Sequence, residues 1–360
     1  MSPVPFPRQF GLRVARVVRP VCIASLVLVA HSCDKKSGTP RWNPSEDQTA
    51  ASGISSPSDR TSVSAPTVLT RRNPSQPVAK AAPGSAAPGL RFIAYNVQNW
   101  LIMDRFIDQK PLKSAPKPDS EKSAVVTILT QHSPDIIGLC EIGEAKDLLE
   151  IQLALKAAGL DLPYSQHTGG SDPVRHLGLL SRFPLTSPAT PALTEFQMQG
   201  QSLAINRGIL DVSLAAHGKS YRLLGVHLKS KRETEGADQA EMRVHEARLL
   251  RRHVESILLT DPQARLIVYG DFNDTRPSMA FKTVIGNYND PTYLTAIPFK
   301  DSRAEAWTHY WALHDIYTRL DFVMVSRALK AEVNFKTSRI LEDPEWIDAS
   351  DHRPLLTLFK

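Results

Sequence analysis

The chain has 360 residues, 42% hydrophobic and 22% charged, with 43 Lys and Arg against 37 Asp and Glu for a formal net charge of +6. That excess lies in the first 90 residues. From residue 91 onward 32 basic residues face 33 acidic ones, a net of −1, so bulk charge offers no argument for polyanion binding. Of the three cysteines only Cys140 lies beyond residue 33, which excludes an internal disulfide framework there.

The first segment carries Arg8, Arg13, Arg16 and Arg19, no acid, and then the apolar run VCIASLVLVA from 21 to 30. The run is short for a bilayer span but has the length of the apolar core of an export signal. Ala30 and Ser32 supply small residues before a cut that would leave Cys33 first, and the segment resembles a bacterial lipoprotein signal, whose cysteine is lipidated. Export is expected for residues 1–33, with the mature chain anchored at the cell envelope through Cys33 or plainly secreted. Residues 34–90 are dense in Pro, Ser, Thr, Ala and Gly and have no helix or strand period, which predicts a disordered tether. As a flexible coil its ends would lie roughly 40 Å apart.

Residues 91–360 alternate short apolar runs with amphipathic helical stretches. LRFIAYNV, DIIGLCE, LGLLS, YRLLGVHL, RLIVYGD, LDFVMVS and PLLTLF have strand length and composition. Helices are predicted over 120–132, over 144–158 with a stop at Gly159, and along QAEMRVHEARLLRRHVESILL. The last sets Leu249, Leu250, Val254, Ile257 and Leu258 against a charged face whose arginines read as solvated. This order predicts an α/β domain of packed layers. The segment 108–120, DQKPLKSAPKPDS, reads either as a substrate-facing insert or as disordered.

Within VYGDFNDTRPS, residues 268–278, an apolar run ends in Asp271, Asn273 and Asp274. Such oxygens repel one another unless a cation or a phosphoryl group lies among them, although a plain turn also favours Gly, Asp and Asn. The pattern recurs. Asn96 ends RFIAYN, Glu141 ends DIIGLCE, His227 lies in LLGVHL, Asp321 opens DFVMV, and Asp351 and His352 precede PLL. Six polar strand edges predict a common mouth. Cys140 reads as a small core residue, and Asp274 as a turn residue or one that backs the site residues.

In this order the blocks YNV, CE, VHL, GDFND, RLDFVMVS and SDHRP resemble the endonuclease/exonuclease/phosphatase superfamily, which shares the fold of pancreatic deoxyribonuclease. The resemblance covers residues 91–360 and implies a four-layer sandwich of two packed mixed β-sheets flanked by helices. It implies Glu141 as main ligand of a Mg²⁺ or Mn²⁺, with Asn96 and Asp351 close to it. It also implies Asp271 as base for the attacking water, Asn273 as hydrogen-bond donor to the phosphate, and His352, held by Asp321, as the group that contacts the phosphate and moves protons. His227 would be the second imidazole. Asp172, in GGSDPVRHLGLLS, stands where some relatives carry an acid that partners the first histidine, and is also a candidate substrate contact.

Three functions compete. A nuclease on DNA or RNA diesters is favoured by VHLKSKR, whose Lys229, Lys231 and Arg232 could meet flanking phosphates. A phosphatase or lipid-headgroup phosphodiesterase, acting on inositol phosphates or sphingomyelin, is the alternative. For it, Trp307, His309, Tyr310 and Trp311 could wall a headgroup, or equally a base, unless they form a packed loop. A binding module that has lost its chemistry should lack Glu141, Asp271, Asn273 or His352, and none is missing. A monomer acting on a phosphoester is expected.

Overall fold

A computed structural model describes residues 89–107, 110–188, 192–232 and 238–360. The expected export signal and nearly all of the expected tether lie outside the described residues.

Two six-stranded sheets carry the domain. The first has the order Arg339–Ile340, Leu355–Leu358, Arg91–Trp100, Ile136–Ile142, His176–Ser181, Tyr164–Thr168. The second runs Thr295–Ala296, Asp321–Val325, Leu266–Asp271, Lys219–His227, Leu210–Ala216, Leu185–Thr186. Each contains one parallel pair with antiparallel strands on both sides. The pairs are 91–100 with 136–142 and 219–227 with 266–271. A parallel pair needs a crossover, and the helices Asp119–His132 and Gln239–Thr260 provide it.

Alternation along each strand decides the layers. Phe92 and Ala94 point between the sheets while Ile93 and Tyr95 point outward. Ile267 and Tyr269 likewise face the first sheet, and Leu266 and Val268 face the second sheet's helices. The outer faces are covered by Val125, Ile128 and Leu129 of one crossover helix and by Leu249, Leu250 and Val254 of the other. The result is helix, sheet, sheet, helix, and every predicted strand and helix is present. Tyr269 fills the space between the sheets because neighbours on both are glycines. An added Cβ would lie 2.1 Å from its ring at Gly138 and 2.6 Å from its hydroxyl at Gly225.

Two expectations change. The helix 239–260 is not solvated along its whole charged face, because Arg243 and Arg251 are buried. Arg243 bonds Asp274 and the Lys229 carbonyl, and Arg251 bonds Thr292. Within the 108–120 segment, residues 110–115 pair with Met103–Ile107 as a hairpin, and Lys117 is buried with its Nζ donating to Gln98 O and Glu121. Residues 108 and 109 lie outside the described part. Among the described residues no helix is long and apolar enough to cross a membrane.

Candidate active site

Parallel strands end where their antiparallel neighbours begin, so the polar edges fall on one side of the molecule. In the second sheet His227, Asp271 and Asp321 lie side by side in register across three strands. In the first sheet Asn96 pairs with Cys140, and the register breaks immediately afterwards in both strands. Glu141 takes up the break with a left-handed φ of 65°, a conformation that costs a non-glycine residue energy and recurs at functional sites. Asn273 is also left-handed, with φ 49°. The edges surround a cleft of about 760 Å³ lined by Glu141, His227, Asp271, Asn273, Asp351 and His352. Asn96 and Asp321 are buried beneath.

Asp271 is the hub. Its Oδ1 accepts the Asn273 N–H at 2.7 Å and its Oδ2 the Asn96 amide at 3.1 Å. His227 Nε2 and His352 Nε2 approach the same Oδ2 at 3.6 and 3.7 Å. His352 Nδ1 is 2.7 Å from Asp321 Oδ2, a bond that joins the loop before the last strand of the first sheet to the second sheet. Thr308 Oγ1 accepts the N–H groups of Leu320 and Asp321 and so holds that strand's start. Glu141 accepts the Asn99 N–H at 2.9 Å, with the Asn96 amide at 3.4 Å. Ser350 ties the other side, donating to Asn96 O and accepting from His352 N.

The two imidazoles end in opposite states. Burial would strip His352 of its proton, but Asp321 and Asp271 beside it outweigh that and hold its pKa well above the ordinary histidine value. His227 meets burial without a comparable partner, and the Arg207, His352 and Arg175 charges push the same way, so its pKa is well below the ordinary value. Burial pushes Asp271 up to about 7, with Asp321 and Glu141 adding to the rise and His352 opposing it. One charged imidazole, one neutral imidazole and one carboxylate poised near neutrality therefore share an oxygen atom.

The predicted site residues come together with one difference. Asp172 does not partner His227, whose Nδ1 has no hydrogen-bond partner among the described residues. Asp172 instead faces Arg207 at 3.2 Å. Asn273 commits one amide hydrogen to Leu228 O at 2.9 Å and keeps the other for the cleft. Lys229, Lys231 and Arg232 line the cleft, with Lys231 3.7 Å from Asp274. The aromatic block divides: Trp307 and Tyr310 pack on Tyr317, whereas His309 and Trp311 line the cleft. Gln98, Asn99, Arg207 and Glu246 were not legible as site residues. Of these only the Asn-Arg-Gly run at 206–208 carried a local signal, a glycine beside a cation.

The donor set suits a hard cation on the Glu141 side. Glu141 and Asp351 keep 16% and 35% of their side chains exposed and both line the cleft. Asp351 N–H bonds Gln98 Oε1, and Gln98 N–H bonds Asn96 Oδ1, so backbone and amide link the two carboxylates. Two other groups have ligand atoms within 4.8 Å of one another, Asp271, Asp321 and His352, and His309, Asp351 and His352. In both, His352 adds a nitrogen to the carboxylate oxygens, whereas Glu141 and Asp351 offer oxygen donors of the kind that hard divalent cations take.

The profile of the Endonuclease/Exonuclease/phosphatase family matches residues 95–352. No curated protein matches the chain in sequence. Among solved structures, the human Nocturnin catalytic domain with bound sulfate anion aligns at 20% identity over 76% of this chain and 94% of its own, with a TM-score of 0.52. A family protein from Leptotrichia buccalis aligns at 14% identity over 75% and 99%, TM-score 0.53. Sphingomyelinase C from Streptomyces griseocarneus aligns at 14% identity over 76% and 100%, TM-score 0.50. At these identities the likeness is one of fold.

Proposed function

The chain belongs to the endonuclease/exonuclease/phosphatase family, whose members hydrolyse phosphoesters, and from that premise we propose a divalent-metal-dependent nuclease that cleaves DNA or RNA phosphodiesters. The observation that carries the reading is the Asp271 hub, with one cationic and one neutral imidazole near the same oxygen, beside the cationic residues Lys229, Lys231 and Arg232. A few such contacts place a phosphate backbone without a basic surface.

Glu141 and Asp351, with Asn96 behind them, are the residues that would hold Mg²⁺ or Mn²⁺. When bound, the ion supplies Lewis-acid polarisation and neutralises charge on the phosphoryl group. Asp271 takes the proton of the attacking water, its carboxylate aimed by Asn273 and Asn96. The free Asn273 amide hydrogen and the His352 Nε2–H donate to phosphoryl oxygens. Asp321 keeps His352 charged and oriented, so that it can also deliver a proton to the departing oxygen. His227, neutral, donates a hydrogen bond at the same centre.

The test is hydrolysis of plasmid DNA, RNA, sphingomyelin and inositol phosphates by the full chain with Mg²⁺ or Mn²⁺, using Asp271→Asn as the control for contaminants. Cleavage of nucleic acid by the wild type alone supports the proposal; turnover of only a lipid or inositol substrate replaces it. One observation favours that second reading, a lipid-headgroup phosphodiesterase. The hairpin 309–318 exposes Trp311, Leu313, Ile316 and Tyr317, with Trp311 and Ile316 also lining the cleft. We further propose export as a monomer with Cys33 lipidated. Labelled palmitate should enter the wild type and not Cys33→Ser, and its absence from the wild type would leave plain secretion.

A further inference from the structure

Beside His227 the cleft is lined by Asp172, Arg175, Arg207 and Lys229. Their backbones meet because glycines let them. A Cβ on Gly170 would lie 2.3 Å from Ile205 O, and one on Gly208, where φ is +75°, would lie 2.3 Å from Gly169 O. With no side chains between them, the Ser171 and Asp172 N–H groups reach Ile205 O and Asn206 O at 3.2 and 2.8 Å. From behind, the buried Glu246 of the 239–260 helix accepts the Asn206 N–H at 2.8 Å and the Lys229 N–H at 2.6 Å. One carboxylate thus braces the segments that carry Arg207 and Lys229.

The acids here organise cations. Asp172 Oδ1 accepts the Val174 and Arg175 N–H groups and closes the turn that presents Arg175. Arg175 Nε donates to Asn99 Oδ1 at 2.9 Å, and the Asn99 N–H holds Glu141. Arg207 is only 5% exposed, and among the described residues its ionic partner is Asp172. Its Nε faces Asp172 Oδ2, and its Nη1 has no hydrogen-bond partner among the described residues. A buried guanidinium with an unmet donor at a cleft wall is suited to hold an anionic oxygen.

We propose that Arg207, with Arg175 and Lys229, forms a subsite for a second phosphate group of the substrate, next to the phosphoryl group at the Asp271 hub. The inference rests on the proposed function, because it names a second group on the same substrate. It selects substrates in which phosphates follow one another, as in nucleic acid. It disfavours a choline headgroup, whose quaternary ammonium would meet like charge. Glu246 acts through the backbone as a positioning residue.

The experiment measures kcat/KM of the full chain at fixed free Mg²⁺ on an unphosphorylated dinucleotide, on its 5′- and 3′-phosphorylated forms, and on bis(p-nitrophenyl) phosphate. The wild type is expected to favour one phosphorylated dinucleotide by about ten- to hundredfold, the range for hydrogen bonds between charged groups. Arg207→Met should shrink that preference to within about threefold, and Arg207→Lys, which keeps charge without the fork, should recover part of it. Partial unfolding lowers all turnover alike and leaves the preference unmoved. No preference in the wild type, or an undiminished one in Arg207→Met, overturns the subsite. Should Arg207→Met not fold, Arg175→Gln is read in the same way. If no dinucleotide is cleaved but bis(p-nitrophenyl) phosphate is, the nuclease reading fails on its own. Inhibition of that hydrolysis by inorganic pyrophosphate then decides the subsite, which requires weaker inhibition of Arg207→Met than of the wild type by about tenfold or more.

Discussion

The cleft edges of the two sheets share a construction and differ in chemistry. Each is the end of a parallel pair joined by one helix, 91–100 with 136–142 and 219–227 with 266–271. On the first edge the register breaks and Glu141 is turned outward, keeping its carboxylate partly in solvent. On the second the register runs unbroken through His227, Asp271 and Asp321, and all three are buried. Exposure leaves an anion with lone pairs for a cation. Burial instead forces each group to compete for protons, which raises Asp271 and lowers His227. In the proposed mechanism one fold unit, used twice, separates charge neutralisation from proton transfer.

The largest effect expected from breaking this division is at Asp271. Asp271→Asn should lower kcat by about 10³-fold or more with an unchanged melting temperature, and activity within tenfold of wild type would remove Asp271 as the base. Glu141→Gln tests the open edge and should cost about 10²-fold at low Mg²⁺, with much of the loss recovered as the cation is titrated upward. Equal recovery in Asp271→Asn would erase the distinction between the edges. Asp321→Asn removes the carboxylate that keeps His352 charged, so the alkaline limb of the rate profile should move to lower pH. An unmoved limb would mean that His352 does not act as an acid.

Smaller effects sharpen the role of burial. Glu246 is raised by burial from 4.5 to about 7, with its two backbone N–H bonds opposing the rise. The folded state therefore binds this proton more tightly than the unfolded chain between those values. Stability from Glu246 is fully present below about 4.5 and is lost as pH rises through about 7. Denaturant titrations of wild type and Glu246→Gln should accordingly diverge, the variant gaining about 2–4 kcal/mol relative to wild type between pH 4 and 8. A pH-independent difference would show that the carboxyl is not held protonated. The pair of exposed Lys231 with half-buried Asp274 is the smallest case, and Lys231→Gln should change stability by less than about 0.5 kcal/mol.

Strand and helix positions were legible because period 2 and period 3.6 are local properties of the chain. Asn96, Glu141, His227, Asp271, Asp321 and His352 were legible as a set because acids and imidazoles at the ends of apolar runs need a common reason. Arg243, Arg251 and Glu246 were not. Their spacing places them on the polar face of an amphipathic helix, and nothing local says that cleft loops and the 279–285 helix will cover that face. Arg207 was hidden likewise, since its meaning depends on a glycine pair nearly 40 residues earlier.

By itself the sequence determined the α/β layering and the set of acids, amides and imidazoles at the strand edges, because both follow from residue type and spacing along the chain; the phosphoester role of that set came from the family resemblance. Tertiary structure decided which histidine is charged, which carboxylate stays open, and that Asp172 faces an arginine instead of His227. Those outcomes depend on burial and on distances of a few ångströms between segments far apart in the chain, and electrostatic energies in a low-dielectric interior change steeply over such distances.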